Sequence, residues 1–204
     1  MSSETDVANV ALRLIGQTPI TNRTDGSPNG NIIDDIFDDV RDDLLRYNPW
    51  NFATKRVELA KSSTLPAFEY DFAYPLPADW IRTISVHSND AGHGAVKHKM
   101  ELINNQKAIL VNADQLFIRF IYREKDPNIW SADFRRAVSL AIARDLAVPV
   151  ASSNTLQEQI SKQFEKAMNR ARSNDAMGAT PEQRPRGSWV DRRGRGRHDG
   201  FLSS

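Results

Sequence analysis

Three groups of residues in this chain are of types that could do chemistry. Six aspartates, Asp34, Asp35, Asp38, Asp39, Asp42 and Asp43, crowd ten consecutive positions. Three of the four histidines, His87, His93 and His98, lie within twelve residues near Asp90, and His198 stands apart. Arg192-Arg193-Gly194-Arg195-Gly196-Arg197 is the densest local signal. Paired carboxylates serve as general acid and base when a pocket pushes their pKa values apart. Aspartates repeated along one polar helix face have no such pocket. They read as an acidic surface that meets solvent or a neighbouring subunit. Imidazoles are common zinc ligands, but this spacing matches no helical or finger-type site, and an exposed hairpin accounts for it.

Other motifs fall away on inspection of single positions. Asp25-Gly26-Ser27-Pro28-Asn29-Gly30 opens like a calcium loop, yet its twelfth position is Ile36 where a bidentate glutamate is needed. Gly92-His93-Gly94 runs into Ala95-Val96-Lys97, so no phosphate loop forms, and no Gly-x-Ser-x-Gly elbow exists. The chain has no cysteine, which excludes disulfides, thiol nucleophiles and cysteine-held zinc or iron–sulfur sites. The expectation is a protein that is not an enzyme and holds no metal or cofactor. Arginine presents a planar fork that pairs with phosphate or carboxylate. The arginine-glycine run therefore suits nucleic-acid phosphates or an acidic groove on another protein.

The elements that must position these groups follow from periodicity. Ser3 caps a helix to about Ile15, with Val7, Val10, Ala11 and Leu14 as its stripe, and Gly16 and Pro19 close it. A second helix is predicted from about Asn31 to Tyr47, with Ile33, Ile36, Phe37, Val40 and Leu44 inward and the aspartates outward. Residues 52–59 are short and β-compatible. Phe68, Tyr70, Phe72 and Tyr74 alternate like a strand or extended segment. Trp80, Ile84 and Val86 suggest another strand. Residues 99–103 and 108–111 flank Asn104-Asn105 as a hairpin, and Phe117–Tyr122 is the clearest strand. Ser131 caps a strongly apolar helix built on Phe134, Ala137, Val138, Leu140, Ala141 and Ile142. Asn154 and Gln157 resemble a capping box for a last helix, with Leu156, Ile160, Phe164, Ala167, Met168 and Ala171 inward. No apolar run approaches a membrane span, and Met1-Ser2-Ser3-Glu4 lacks the start of a signal peptide. These features predict a soluble chain of a reducing compartment.

The fold class expected is α+β. Helical segments over residues 1–50 and 128–178 bracket a β-rich stretch over 51–127, and a basic extended arm covers 179–204. The order of pieces resembles the tail tubular protein A family, the head-to-tail adaptors of short-tailed phages. Three passages and the helices from Trp130 onward carry the resemblance. Ala11 to Ile20 is a helix closed by an Ile-Gly-x-x-Pro-hydrophobic turn. Tyr47-Asn48-Pro49-Trp50-Asn51-Phe52 is a Trp-x-Phe passage. Tyr74-Pro75-Leu76-Pro77-Ala78-Asp79-Trp80 leads through Leu-Pro into a strand. The resemblance spans roughly residues 5–178. It implies a four-helix bundle of residues 1–50 and 128–178 with the β-rich subdomain 51–127 inserted, a virion structural protein made in the host cytoplasm, a dodecameric ring between portal and tail nozzle at the head-tail junction, and double-stranded DNA passing through the lumen. It supplies no catalytic positions. The arm has no matched motif. Its expected role is portal docking through Arg184, Arg186, Trp189, Arg192, Arg193, Arg195, Arg197 and Phe201. The six aspartates are then expected at the subunit interface or the lumen. The rival reading is a nucleic-acid-binding protein acting through the Arg/Gly-rich tail.

The overall charge conceals this division. The 204 residues are 40% hydrophobic and 26% charged, with a net charge of +1. Residues 179–204 hold six arginines against three acids, a net +3, which leaves −2 for residues 1–178. A near-neutral chain is thus an acidic body carrying a basic arm.

Overall fold

A computed structural model describes residues 2–89 and 96–178. The residues expected to dock on the portal, Arg184 to Phe201, lie outside the described residues, as do Asp90, His93 and His198.

Helix α1 (Glu4–Leu14) begins at Ser3, whose hydroxyl accepts from the Asp6 N–H while the Asp6 carboxylate accepts from the Ser3 N–H. This reciprocal pair satisfies two donors that a helix start leaves open. Gly16, at φ +72°, supplies the left-handed residue that ends it. Helix α2 (Pro28–Tyr47) starts three residues earlier than its apolar periodicity predicts. The reason is local: Ser27 caps the Gly30 N–H, and Pro28 sits in the first turn, where no N–H is needed. A Cβ at Gly30 would stand 2.4 Å from the Asp25 carboxylate, so a larger residue would displace that side chain from the N–H groups it accepts from. The apparent calcium loop is thus a capping turn, with Asp25 accepting from the Ser27 and Thr21 N–H groups.

Six strands form two antiparallel sheets of three. Strands β1 (Thr54–Leu59), β3 (Trp80–His87) and β6 (Leu116–Tyr122) make one sheet in the order β1-β6-β3. Strands β2 (Phe72–Pro75), β4 (His98–Ile103) and β5 (Gln106–Val111) make the other in the order β2-β5-β4. Asn104 and Asn105, at φ 50° and 60°, turn β4 into β5 as two consecutive left-handed residues. The alternation from Phe68 does not become a strand until Phe72. Glu69 adopts φ 71°, Phe68 is 81% exposed, and only Phe72–Pro75 pairs with β5. The Leu-Pro passage is the crossover between sheets: Leu76 is buried and donates its N–H to the Lys107 carbonyl, and Trp80 opens β3.

Helix α3 (Ala132–Leu146), capped by Ser131, is apolar on nearly every side, and Phe134, Ala137, Val138, Leu140, Ala141, Ile142, Ala143 and Leu146 are all buried. Helix α4 (Asn154–Met177) is capped by Ser153, whose hydroxyl accepts from the Leu156 N–H. Asn154 is already inside the helix, so the expected capping box does not form.

The expected four-helix bundle is not the arrangement found, although the α+β content is. The principal helix packings all involve α3, with α1, α2 and α4 each laid against it. Sheet β1-β6-β3 closes the remaining side through Ile81 and Ile121, which share the helical core. The physical reason is the width of the α3 apolar surface. A bundle helix offers one stripe, whereas α3 can be covered on several sides at once. The other face of that sheet, Leu59, Val86, Leu116, Ile118 and Phe120, packs on Tyr74, Leu76, Ile109 and Val111. The layers are therefore helices, sheet β1-β6-β3, then sheet β2-β5-β4.

An aromatic cluster fixes the junction. Trp50 is fully buried, donates its indole N–H to the Leu44 carbonyl at 2.7 Å, and meets Phe134 edge-on at 5.1 Å. Phe52 stacks on Trp50, and Trp130 and Phe37 continue the cluster. The Trp-x-Phe passage thus anchors in the core through Trp50, with half-buried Phe52 packed against it.

Candidate functional site

The six aspartates of α2 separate into two rows, each repeating every fourth residue. Asp34, Asp38 and Asp42 form the inner row, and each meets an arginine. Arg23, from the loop before α2, reaches Asp34 at 2.9 Å, Asp38 at 3.0 Å and Glu4 of α1 at 2.7 Å. Its guanidinium lies over the Phe37 ring at 4.5 Å. Arg41 is buried, 1% exposed, and reaches Asp38 at 3.1 Å and Asp42 at 2.9 Å. Arg123, just beyond β6, bonds the second oxygen of Asp42 at 2.6 Å. The charges alternate along this path, tying α1, the loop, α2 and the sheet into one clamp.

Burial works against ionisation of Asp38, but Arg41 and Arg23 outweigh it and hold its carboxyl below the ordinary range. For Arg23, desolvation is likewise outweighed by its bonds to Glu4 and Asp38, which raise its pKa. A carboxylate held ionised between two arginines does not exchange protons near neutral pH, so Asp38 is not placed for acid–base work.

Asp35, Asp39 and Asp43 form the outer row. They are exposed and make no ion pair among the described residues. Sequence periodicity put Ile36 and Val40 on the core stripe and treated Arg41 as exposed. In the structure Ile36 and Val40 are only partly buried, while Arg41 and Leu45 are inside. The available signal was position: Arg41 lies four residues after Phe37 and three before Leu44. Nothing local marked Arg23, because its partners come from two helices.

Among the described residues no group of three or more His, Asp or Glu side chains is arranged to hold a metal ion. His87 and His98 are described, and His98 bonds the Val96 carbonyl. Two shallow pockets flank α3. One of about 250 Å³ is lined by Asp6, Val7, Arg135 and Ser139, among others, and one of about 290 Å³ by Asp133, Arg136, Lys166 and Arg170, among others. Ser139 in the first is committed to the Val7 carbonyl at 2.9 Å. Neither pocket pairs a nucleophile with a base.

A second surface is apolar. Leu65, Phe68 and Leu102 are 62%, 81% and 67% exposed. Thr64 accepts from the Asn104 side chain, which holds the 60–71 loop against the β4–β5 turn. These residues belong to the outer sheet and its loops. No helix of the described residues is long and apolar enough to cross a membrane. No protein-family profile matches this chain, and no curated protein is significantly similar to it.

Proposed function

We propose that this chain is a structural adaptor of a phage head-to-tail junction, forming a ring between portal and tail nozzle through whose lumen DNA passes. The observation that carries the reading is the separation of two unlike surfaces onto different layers. The outer aspartate row lies on α2, and the apolar Leu65, Phe68 and Leu102 lie at the outer sheet. Rings close by heterologous contacts, in which one surface of a copy meets a different surface of the next. The resemblance of residues 5–178 to tail tubular protein A supports the same reading. In it, residues 179–204 dock on the portal, and no catalytic residue is needed.

Negative-stain imaging and mass measurement of the protein, alone and with portal-bearing capsids, test it. The expected result is a ring, free or formed on the portal. A chain that stays monomeric and never attaches to such capsids overturns the reading.

The alternative, a nucleic-acid binder acting through Arg184 to Arg197, is favoured by the six arginines of that segment. Six phosphate contacts on a single strand give a log–log salt slope of roughly −4. An adaptor shows weak or no binding to free DNA.

A further inference from the structure

We infer that the outer row Asp35, Asp39 and Asp43 is a docking surface for the arginine-rich segment 184–197 of the same chain. The two rows of α2 have the same residue type and the same spacing. The inner row is paired with guanidinium groups at 2.6 to 3.1 Å, and the outer row meets none among the described residues. One helix thus demonstrates the recognition chemistry and carries a second copy of it with no partner among the described residues.

The described chain ends where an occupant would have to start. Asn51, just past α2, bonds Asp175 near the end of α4 through its backbone N–H at 3.1 Å and its side-chain amide at 2.6 Å. Arg172 of α4 lies 5.5 Å from the Tyr47 ring at the end of α2. Gly178, the last described residue, therefore lies beside the C-terminal end of α2, where Tyr47 and Met177 are exposed.

Length permits the path. Asp35 and Tyr47 are about 18 Å apart along the helix axis. Arg184 is six residues beyond Gly178, which reaches roughly 20 Å, and Arg192 is fourteen beyond, which reaches roughly 46 Å. Arg184 and Arg186 can meet Asp43, and Arg192 to Arg197 can meet Asp39 and Asp35. The arm carries net +3, and tethering sets its local concentration near the millimolar range. Exposed pairs of this kind are strong at low salt and screened at high salt. The interaction belongs to the free chain and does not depend on the adaptor reading. On that reading, a partner that claims the arm must displace it from α2.

The cysteine-free chain allows a direct test. Asn31→Cys and Ser203→Cys in the full chain carry a donor–acceptor dye pair. Transfer efficiency should fall at least twofold between about 20 mM and about 1 M salt, where the Debye length shrinks to roughly 3 Å. Asp35→Lys, Asp39→Lys and Asp43→Lys together should cause the same fall at low salt. Adding Arg192→Glu, Arg193→Glu and Arg195→Glu should restore transfer. Asp→Asn at the three positions, checked by circular dichroism, replaces the lysine variant if α2 loses structure. Transfer that is indifferent to the three aspartates overturns the inference. Transfer that arises only between singly labelled chains, and vanishes on dilution with unlabelled protein, overturns it as well by placing the arm on a neighbour.

Discussion

The inner and outer rows of α2 are made of the same residue at the same spacing, yet they do different work. Asp34, Asp38 and Asp42 are tied to Arg23, Arg41 and Arg123 and join four parts of the fold. Asp35, Asp39 and Asp43, one position further along, face solvent. A step of one residue turns a helix by about 100°, which is enough to move a carboxylate from a seam to an open surface. Residue type therefore says little about role on this helix. The neighbour that arrives from elsewhere in the chain decides it.

The largest expected effect comes from Arg41→Ala. It removes a fully buried side chain and its charged hydrogen bonds to Asp38 and Asp42, leaving Glu4 and Asp38 to Arg23 and Asp42 to Arg123, at a cost of about 3–5 kcal/mol by urea unfolding. A loss below about 1 kcal/mol would mean that the clamp contributes no more than an ordinary surface pair. Arg23→Ala should cost less, about 1.5–3 kcal/mol, because it loses charged hydrogen bonds and its stacking on Phe37 from a site that is 15% exposed. If Arg23→Ala proved costlier than Arg41→Ala, the loop would be the keystone of the clamp and α2 secondary.

Acid sharpens the contrast next. The pKa of Asp38 is lower folded than unfolded, so the unfolded chain binds more protons in the window below the usual carboxylate value. The stability Asp38 contributes is complete above that value and is lost as pH falls through the lowered pKa. Denaturation midpoints of the native protein and Asp38→Asn should differ at neutral pH and converge in strong acid. Parallel curves would assign acid sensitivity to other groups. The smallest effect is expected from Asp35→Asn, Asp39→Asn and Asp43→Asn, each within about 0.5 kcal/mol in thermal unfolding. Removing like charges at i, i+4 even relieves a few tenths of a kcal/mol. A large destabilisation would erase the distinction between the rows.

Legibility in the sequence followed locality. The β4–β5 hairpin was readable because Asn104-Asn105 carries its own turn chemistry. Strand β6 was readable from its aromatic and β-branched run, and α3 from its crowded apolar residues. The start of α2 was also local, in Ser27-Pro28, but periodicity alone pointed three residues later. Phe68 was misleading, since its alternation with Tyr70 and Phe72 is broken by the left-handed backbone at Glu69. The bundle was misleading for a different reason. Four amphipathic helices are compatible with several packings, and only the breadth of α3, with Ile81 and Ile121 arriving from the sheet, selects this one.

By itself, the sequence determined the secondary structure of most elements, the contrast between net-acidic residues 1–178 and net-basic residues 179–204, and the absence of thiol chemistry. Those properties depend on composition and on neighbours a few positions away. Only the tertiary structure decided that α3 is the shared centre, that Trp50 is core with Phe52 packed on it, and that three aspartates of α2 are engaged while three meet no cation among the described residues. Each of those outcomes needs groups distant in the chain, Glu4 and Arg23 beside Asp38, or Arg123 beside Asp42. Burial and charge pairing are properties of such meetings, and no short window of residues contains them.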